Sequence, residues 1–201
     1  MIALPAPLEA LLRRLLADGR AHDAATQVHA ERFLNLEWET AETLFLLLRA
    51  AGRRRVLEIG TSNGFSTLWL AQALEATGGT VVSIDRDAGR QAQAAAHLAE
   101  AGLAHRATLL HGPATDVVRG LEGTFDAVFF DADRVSAPDQ GALLLPRLAP
   151  DALLLADNAL SHPQEIQGYL DWVDATGLFD ARILPVGKGL HVAVRRSFLE
   201  N

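Results

Sequence analysis

The stretch Val56-Leu57-Glu58-Ile59-Gly60-Thr61-Ser62-Asn63-Gly64 reads as a strand, a tight turn and the entrance to a helix. A short apolar run ends in an acid, glycine follows at once, and Phe65 to Leu74 then has helical spacing. In an open α/β sheet such a turn lies beyond the carboxyl end of its strand, where nucleotides bind, and glycine lets the backbone come close to them. The turn lacks the G-x-G-x-x-G spacing that packs a pyrophosphate against a helix, and no Gly-Lys-Ser/Thr follows it, so it is neither a dinucleotide fingerprint nor a Walker loop. A nucleoside ligand without a pyrophosphate fits it better.

Outward from this turn, strand and helix patterns alternate. Strands are expected at Arg55–Gly60, Thr80–Asp85, Ala107–His111, Phe125–Asp131 and Ala152–Asp157. The helices between and after them are expected at Ser66–Ala76, Asp87–Ala101, Ala114–Leu121, Asp139–Leu148 and Gln164–Thr176. That alternation implies an α/β fold, a Rossmann-like, mostly parallel sheet with helices on both faces. Phe179–Leu184 and Leu190–Arg195, with Gly187 to Gly189 between them, read as an antiparallel C-terminal hairpin added to the sheet edge. Residues 6–50 read as helices: Leu8, Leu11, Leu12, Leu15 and Leu16 recur at helical spacing until Asp18-Gly19 stops the run, and a last helix covers Glu39–Ala50. The expected organisation is an N-terminal helical extension over residues 1–52, serving as a cap or dimer contact, ahead of one domain over 53–201.

Composition narrows the function classes. Of 201 residues, 49% are hydrophobic and 21% charged, a globular balance. The apolar run Leu143 to Ala156 is broken by Pro146, Arg147, Pro150 and Asp151, so no membrane span is expected, and the N-terminus lacks a signal-peptide pattern, so a cytoplasmic location is. There is no cysteine, which removes disulfides, thiolate metal sites and cysteine nucleophiles together. A net charge of −7 argues against a nucleic-acid surface. Lys188 is the only lysine among 18 basic residues.

The acids fall at strand ends. Glu58, Asp85, Asp131 and the pair Asp157-Asn158 each close a strand, which sets them on one rim of the sheet. Asp85, roughly 20 residues or more past the glycine turn, is placed to accept both hydroxyls of a nucleotide ribose. Two carboxylates at neighbouring strand ends raise each other's proton affinity unless a cation compensates. That cation is either a divalent ion held by oxygen ligands or Arg134 as an organic counter-ion.

At these residues the chain resembles the class I S-adenosylmethionine-dependent methyltransferases, and within them the metal-dependent catechol and caffeoyl-CoA type O-methyltransferases. The likeness rests on an ordered set: Leu57-Glu58-Ile59-Gly60-Thr61, Gly64-Phe65-Ser66, Ile84-Asp85, Gly112-Pro113-Ala114, Phe130-Asp131-Ala132-Asp133, Asp157-Asn158, and Leu184-Pro185 to Gly189-Leu190. The resemblance implies a seven-stranded sheet. It implies Glu58, Gly60 and Ser66 around the methionine part of S-adenosylmethionine, Asp85 at the ribose and Ala114 at the adenine. Asp131, counted with the cofactor set as well, joins Asp157 and Asn158 as ligands of magnesium or calcium. It further implies a phenol or catechol-like acceptor and a homodimer.

One departure stands out. Where the family has a lysine after Asp131-Ala132-Asp133, proposed there as the base, this chain has Arg134, which stays charged at working pH and is expected to stabilise charge instead. His162 is the candidate substitute base. Two alternatives stay open at this point: a metal-independent methyltransferase with another acceptor, and a non-catalytic nucleotide-binding domain of the same fold.

Overall fold

Seven strands form one sheet in the order β3-β2-β1-β4-β5-β7-β6 in a computed structural model that describes residues 2–197. Met1 and 198–201, the tail of the expected domain, lie outside the described residues. The strands are β1 (Arg55–Ile59), β2 (Thr80–Asp85), β3 (Ala107–His111), β4 (Phe125–Phe130), β5 (Leu148–Ala156), β6 (Phe179–Leu184) and β7 (Leu190–Arg195). β1 to β5 run parallel, and β7 pairs antiparallel with both β5 and β6, as the hairpin expectation required. The strand order reverses at β1, whose neighbours are β2 and β4, and a crevice opens at such a switch point beyond the carboxyl ends.

Helices cover both faces because each strand alternates apolar side chains to both sides. On one face α1 (Ala6–Ala25), α2 (Trp38–Ala50), α3 (Phe65–Leu74) and α4 (Ala88–Glu100) bury Leu12, Leu44, Leu68, Trp69 and Leu98 against Val56 and Phe129. On the other, α5 (Ala114–Gly120), α6 (Ala137–Leu144) and α7 (Pro163–Thr176) bury Val118, Leu144, Ile166 and Tyr169 against Leu57, Val128 and Leu154. The leucines of α1 and α2 thus join the same core as the sheet. No helix among the described residues is long and apolar enough to cross a membrane.

Two expectations are corrected. The first helix does not stop at Asp18-Gly19 but continues to Ala25. Gly19 is there for close approach: a Cβ on it would lie 2.5 Å from Asn35 Nδ2, the amide that donates to Leu15 O at 3.1 Å. The last parallel strand begins at Leu148, not Ala152, and α6 ends at Leu144. A register shift between Phe125 and Ala127 on its partner absorbs the irregular start, where Pro150 sits without a ladder donor.

The rim is assembled by short backbone bonds. Gly60 N and Thr61 N donate to Ile84 O at 2.9 and 3.2 Å, Asp131 N donates to Ile59 O at 2.9 Å, and Asp157 N donates to Phe130 O at 3.3 Å. Each link carries the end of one strand to the end of the next, so the four acids share one edge.

Candidate active site

The turn after β1 is shaped for contact with something brought close to its backbone. Gly60 has φ 113°, and a Cβ there would lie 2.7 Å from Asp131 O, so only glycine lets the β1 turn nest against the end of β4. Gly64, at φ 86°, caps α3, and a Cβ on it would meet Ala94 of α4 at 2.8 Å. Ser62 N donates to Asp85 Oδ2 at 2.7 Å and Asp87 N to Oδ1 at 2.9 Å, which fixes the Asp85 carboxylate at the end of β2. An ionised carboxylate has about four lone-pair sites, so each oxygen keeps one for a ribose hydroxyl.

Glu58 is fully buried beneath this turn. Its Oε2 accepts from Thr67 Oγ1 and Ser83 Oγ, both at 2.5 Å, while Oε1 is buried without a partner. Burial pushes its carboxyl up to about 7, against the opposing hydroxyls of Ser66, Ser83 and Thr67. Ser66, in the first turn of α3, is buried beside it. Ala114 opens α5 after Pro113, where a first-turn N–H has no intrahelical carbonyl.

The other half of the rim is less satisfied. Asp157 is buried, its Oδ2 accepts from Asn158 Nδ2 at 2.9 Å, and its Oδ1 has no partner. Burial raises its proton affinity, opposed by the Asn158 backbone, and Glu37 raises it further. Asp131 is raised well above the usual carboxylate range by burial, then by the charges of Asp157 and Glu58. Asn158 holds a left-handed backbone, φ 67°, and its Oδ1 accepts from Ser161 Oγ at 3.1 Å. Among the described residues no three His, Cys, Asp or Glu side chains converge, so the donor set is two carboxylates and one amide. Asp131, Asp157 and Asn158 are the residues that could hold a hard divalent cation, with the unpartnered Asp157 oxygen among the donors.

Arg134 does not fill this place. Its Nε and Nη2 bind Glu165 Oε2 of α7 at 3.0 and 2.8 Å. His162 is at the α7 entrance, with Nδ1 2.8 Å from Ser161 Oγ, so a chain of hydrogen bonds runs from Asn158 through Ser161 to its ring. The structure therefore brings Glu58, Gly60, Ser66, Asp85, Asp131, Asp157 and Asn158 to one rim, with Ala114 opening the helix after β3. Arg134 is paired with Glu165 and largely buried. Missing from the sequence reading were Glu37 and Lys188, whose carboxylate and ammonium pair at 2.8 Å and whose charges act on Asp157. The singular occurrence of Lys188 was the one signal for it.

Known proteins resemble this chain in sequence and in fold. A family described as a methyltransferase domain matches residues 57–159, just over half of the chain. A catechol O-methyltransferase of Mycobacterium tuberculosis is 41% identical over 120 residues, 58% of this chain and 53% of that protein. A protein-L-isoaspartate O-methyltransferase of Bordetella petrii is 30% identical over 196 residues, 94% of this chain and 68% of that one. A crystal structure of an O-methyltransferase from Bacillus cereus in complex with SAH superposes with TM-score 0.80 at 25% identity, covering 98% of this chain and 93% of that chain. The chain spans about half the length of the first of these relatives. The glycine turn and the strand-end carboxylates stand in one order on one sheet, and the chain belongs to the methyltransferase domain family, among the class I S-adenosylmethionine-dependent methyltransferases.

Proposed function

We propose that this chain is an S-adenosylmethionine-dependent O-methyltransferase that methylates a hydroxyl of a small aromatic, catechol-like acceptor with the help of magnesium or calcium, and that it works as a cytoplasmic homodimer. The relatives' names differ in acceptor, so the choice rests on the site. The observation that carries it is the buried Asp157 oxygen without a partner, next to Asp131, at the crevice end of two adjacent strands.

In this reading Asp85 holds the ribose, the Ala114 N–H meets the adenine, and the backbone of Gly60 to Gly64 lies along the methionine part with Glu58 and Ser66 beneath it. Asp131, Asp157 and Asn158 hold the cation, which supplies Lewis-acid polarisation and orientation of the acceptor oxygen. Asn158 would turn its Oδ1 from Ser161 toward the carboxylates. His162, with Nδ1 committed to Ser161, keeps Nε2 to take the hydroxyl proton. Arg134 contributes charge from a distance, since a guanidinium is no base at working pH. Residues 1–52 act as the cap over this rim, 53–201 as the catalytic domain.

Calorimetry with S-adenosylhomocysteine and transfer of labelled methyl to a catechol panel test the proposal. Binding at roughly micromolar strength and transfer abolished by chelation are expected. No heat at millimolar ligand overturns it, and transfer indifferent to exhaustive chelation selects the metal-independent alternative.

A further inference from the structure

Between α1 and α2 the chain runs against the cofactor half of the rim, and from residue 27 to residue 35 it buries no side chain. Its one regular piece is the short turn of helix His29–Glu31. Polar ties hold it instead of packing. Ser62 Oγ, in the glycine turn, donates to Phe33 O at 3.0 Å. Arg90 Nη2, in the first turn of α4, donates to Ala30 O at 2.9 Å and to Arg32 O at 2.8 Å, and its guanidinium carbon stands 5.7 Å from the centroid of the Phe33 ring. From the α1 side, the Asp23 carboxylate accepts from Phe33 N at 2.7 Å and Leu34 N at 2.9 Å, and the His22 ring lies against Phe33 with centroids 4.3 Å apart.

These ties set the segment next to the ribose acid. Ser62 gives its N–H to Asp85 Oδ2 and its hydroxyl to the Phe33 carbonyl, so a single residue separates Asp85 from the segment. The Arg90 side chain is only 19% exposed, although residues 86–89 before it are exposed. A segment that buries no side chain opens at low cost. Leu34, at φ 52°, is a strained left-handed bend at which it can turn.

We propose that residues 27–35 are a strap across the cofactor half of the rim and that Arg90 is the positioning residue that latches it, so that S-adenosylmethionine enters and its product leaves only when the bonds from Arg90 to Ala30 and Arg32 are released. This rests on the S-adenosylmethionine reading above. Arg90 acts through the strap and not on the ligand. Each tie joins protein to protein, so the latch bears equally on the free and the loaded site. It therefore sets how fast the ligand comes and goes and leaves the ratio of the two rates unchanged.

The test follows S-adenosylhomocysteine on the full chain by surface plasmon resonance, and backbone hydrogen exchange of residues 27–35 by mass spectrometry without ligand. Arg90→Ala should raise the association and release rates together by about tenfold, with Kd within about threefold. Exchange in the strap should quicken by a similar factor, while the glycine turn exchanges as in wild type. Arg90→Lys, which still brings a cation to the two carbonyls, should recover most of both effects. Ser62→Ala removes the hydroxyl tie and keeps the N–H on Asp85, and should raise the two rates together by about threefold.

A merely structural role for Arg90 predicts faster release with association unchanged, so that Kd rises in step; that result overturns the latch, as does strap exchange equal to wild type in Arg90→Ala. If Arg90→Ala does not fold, Arg90→Lys and Ser62→Ala decide by the same pair of rates. Quickened strap exchange in a protein that fails to bind S-adenosylhomocysteine at millimolar concentration overturns the cofactor reading, and the gating role with it, while the tether stands.

Discussion

The two halves of the rim are built on opposite terms. On the cofactor side, both Asp85 oxygens and one Glu58 oxygen are tied by donors from the chain itself, and the turn between them is locked by backbone bonds to Ile84. On the acceptor side two carboxyls crowd each other, and Asp157, like Glu58, keeps one buried oxygen without a donor. A pre-formed set of hydrogen bonds suits a ligand whose shape does not change from turnover to turnover. Unrelieved negative charge suits a site completed by a cation. The contrast teaches that one rim can hold a turn locked by backbone bonds at one end and a pair of crowded carboxyls at the other.

The largest expected effect comes from removing that unsatisfied charge. Asp157→Asn should lower methyl transfer to a catechol by roughly a thousandfold, the several kcal/mol that Lewis-acid polarisation supplies, while S-adenosylhomocysteine affinity changes by less than about threefold. Labelled-methyl assays and calorimetry on one preparation check both. An equal loss of the two would erase the distinction between the halves.

Next is the cofactor side. Gly60→Ala forces a side chain into φ 113° and onto the Asp131 carbonyl, and should destabilise the protein by about 2–3 kcal/mol in urea unfolding. Asp85→Ala should weaken S-adenosylhomocysteine binding by about 10- to 100-fold through lost charge-assisted hydrogen bonds, read by calorimetry.

Stability against pH sharpens the same comparison. The folded-state pKa values of Asp131 and Asp157 are raised, so below the unfolded carboxylate value both states carry the protons and nothing is lost. Between that value, near 4, and the raised folded values, the unfolded chain has released protons that the fold retains, and stability falls as pH rises. Without divalent ions, the melting temperature should therefore drop by a few degrees between about pH 5 and pH 7. Added magnesium should restore it at pH 7 and do little at pH 5, and Asp157→Asn should flatten the slope. Glu58, raised by burial to about 7, adds to the decline in the same direction but is not answered by magnesium.

The smallest effect is expected at Arg134. Its pair with Glu165 is partly exposed, so Arg134→Ala should change stability by less than about 1 kcal/mol and leave affinity for S-adenosylhomocysteine intact.

What the sequence disclosed follows the same divide. The glycine turn, the strand-end acids and the terminal hairpin were legible because each is set by neighbours in the chain: a period of two, a turn residue, an acid where an apolar run ends. The partner of Arg134 was not, because Glu165 reaches that turn from α7, 31 residues on. Lys188 escaped for the same reason, since its tether Glu37 lies at the far end of the chain. Gly19 misled outright: glycine beside aspartate is a sound stop signal in isolation, and only the tertiary contact with Asn35 reveals its purpose.

The pairing of β1 with β4 has a bearing on how the molecule assembles. Val56 pairs with Ala127, whereas β1 meets β2 across a single local crossover, Arg55 with Thr80. The carboxylate of Asp126 binds Arg54 N and Arg55 N, 71 to 72 residues away, and fastens one end of this seam; Gly60 against Asp131 closes the other. During synthesis β1 to β3 can zip together while the open edge of β1 waits for β4, and such non-local pairing is the slow part of folding. The crevice thus stays open until β4 arrives, and a nascent chain halted before residue 125 would present β1 as an apolar, unpaired edge.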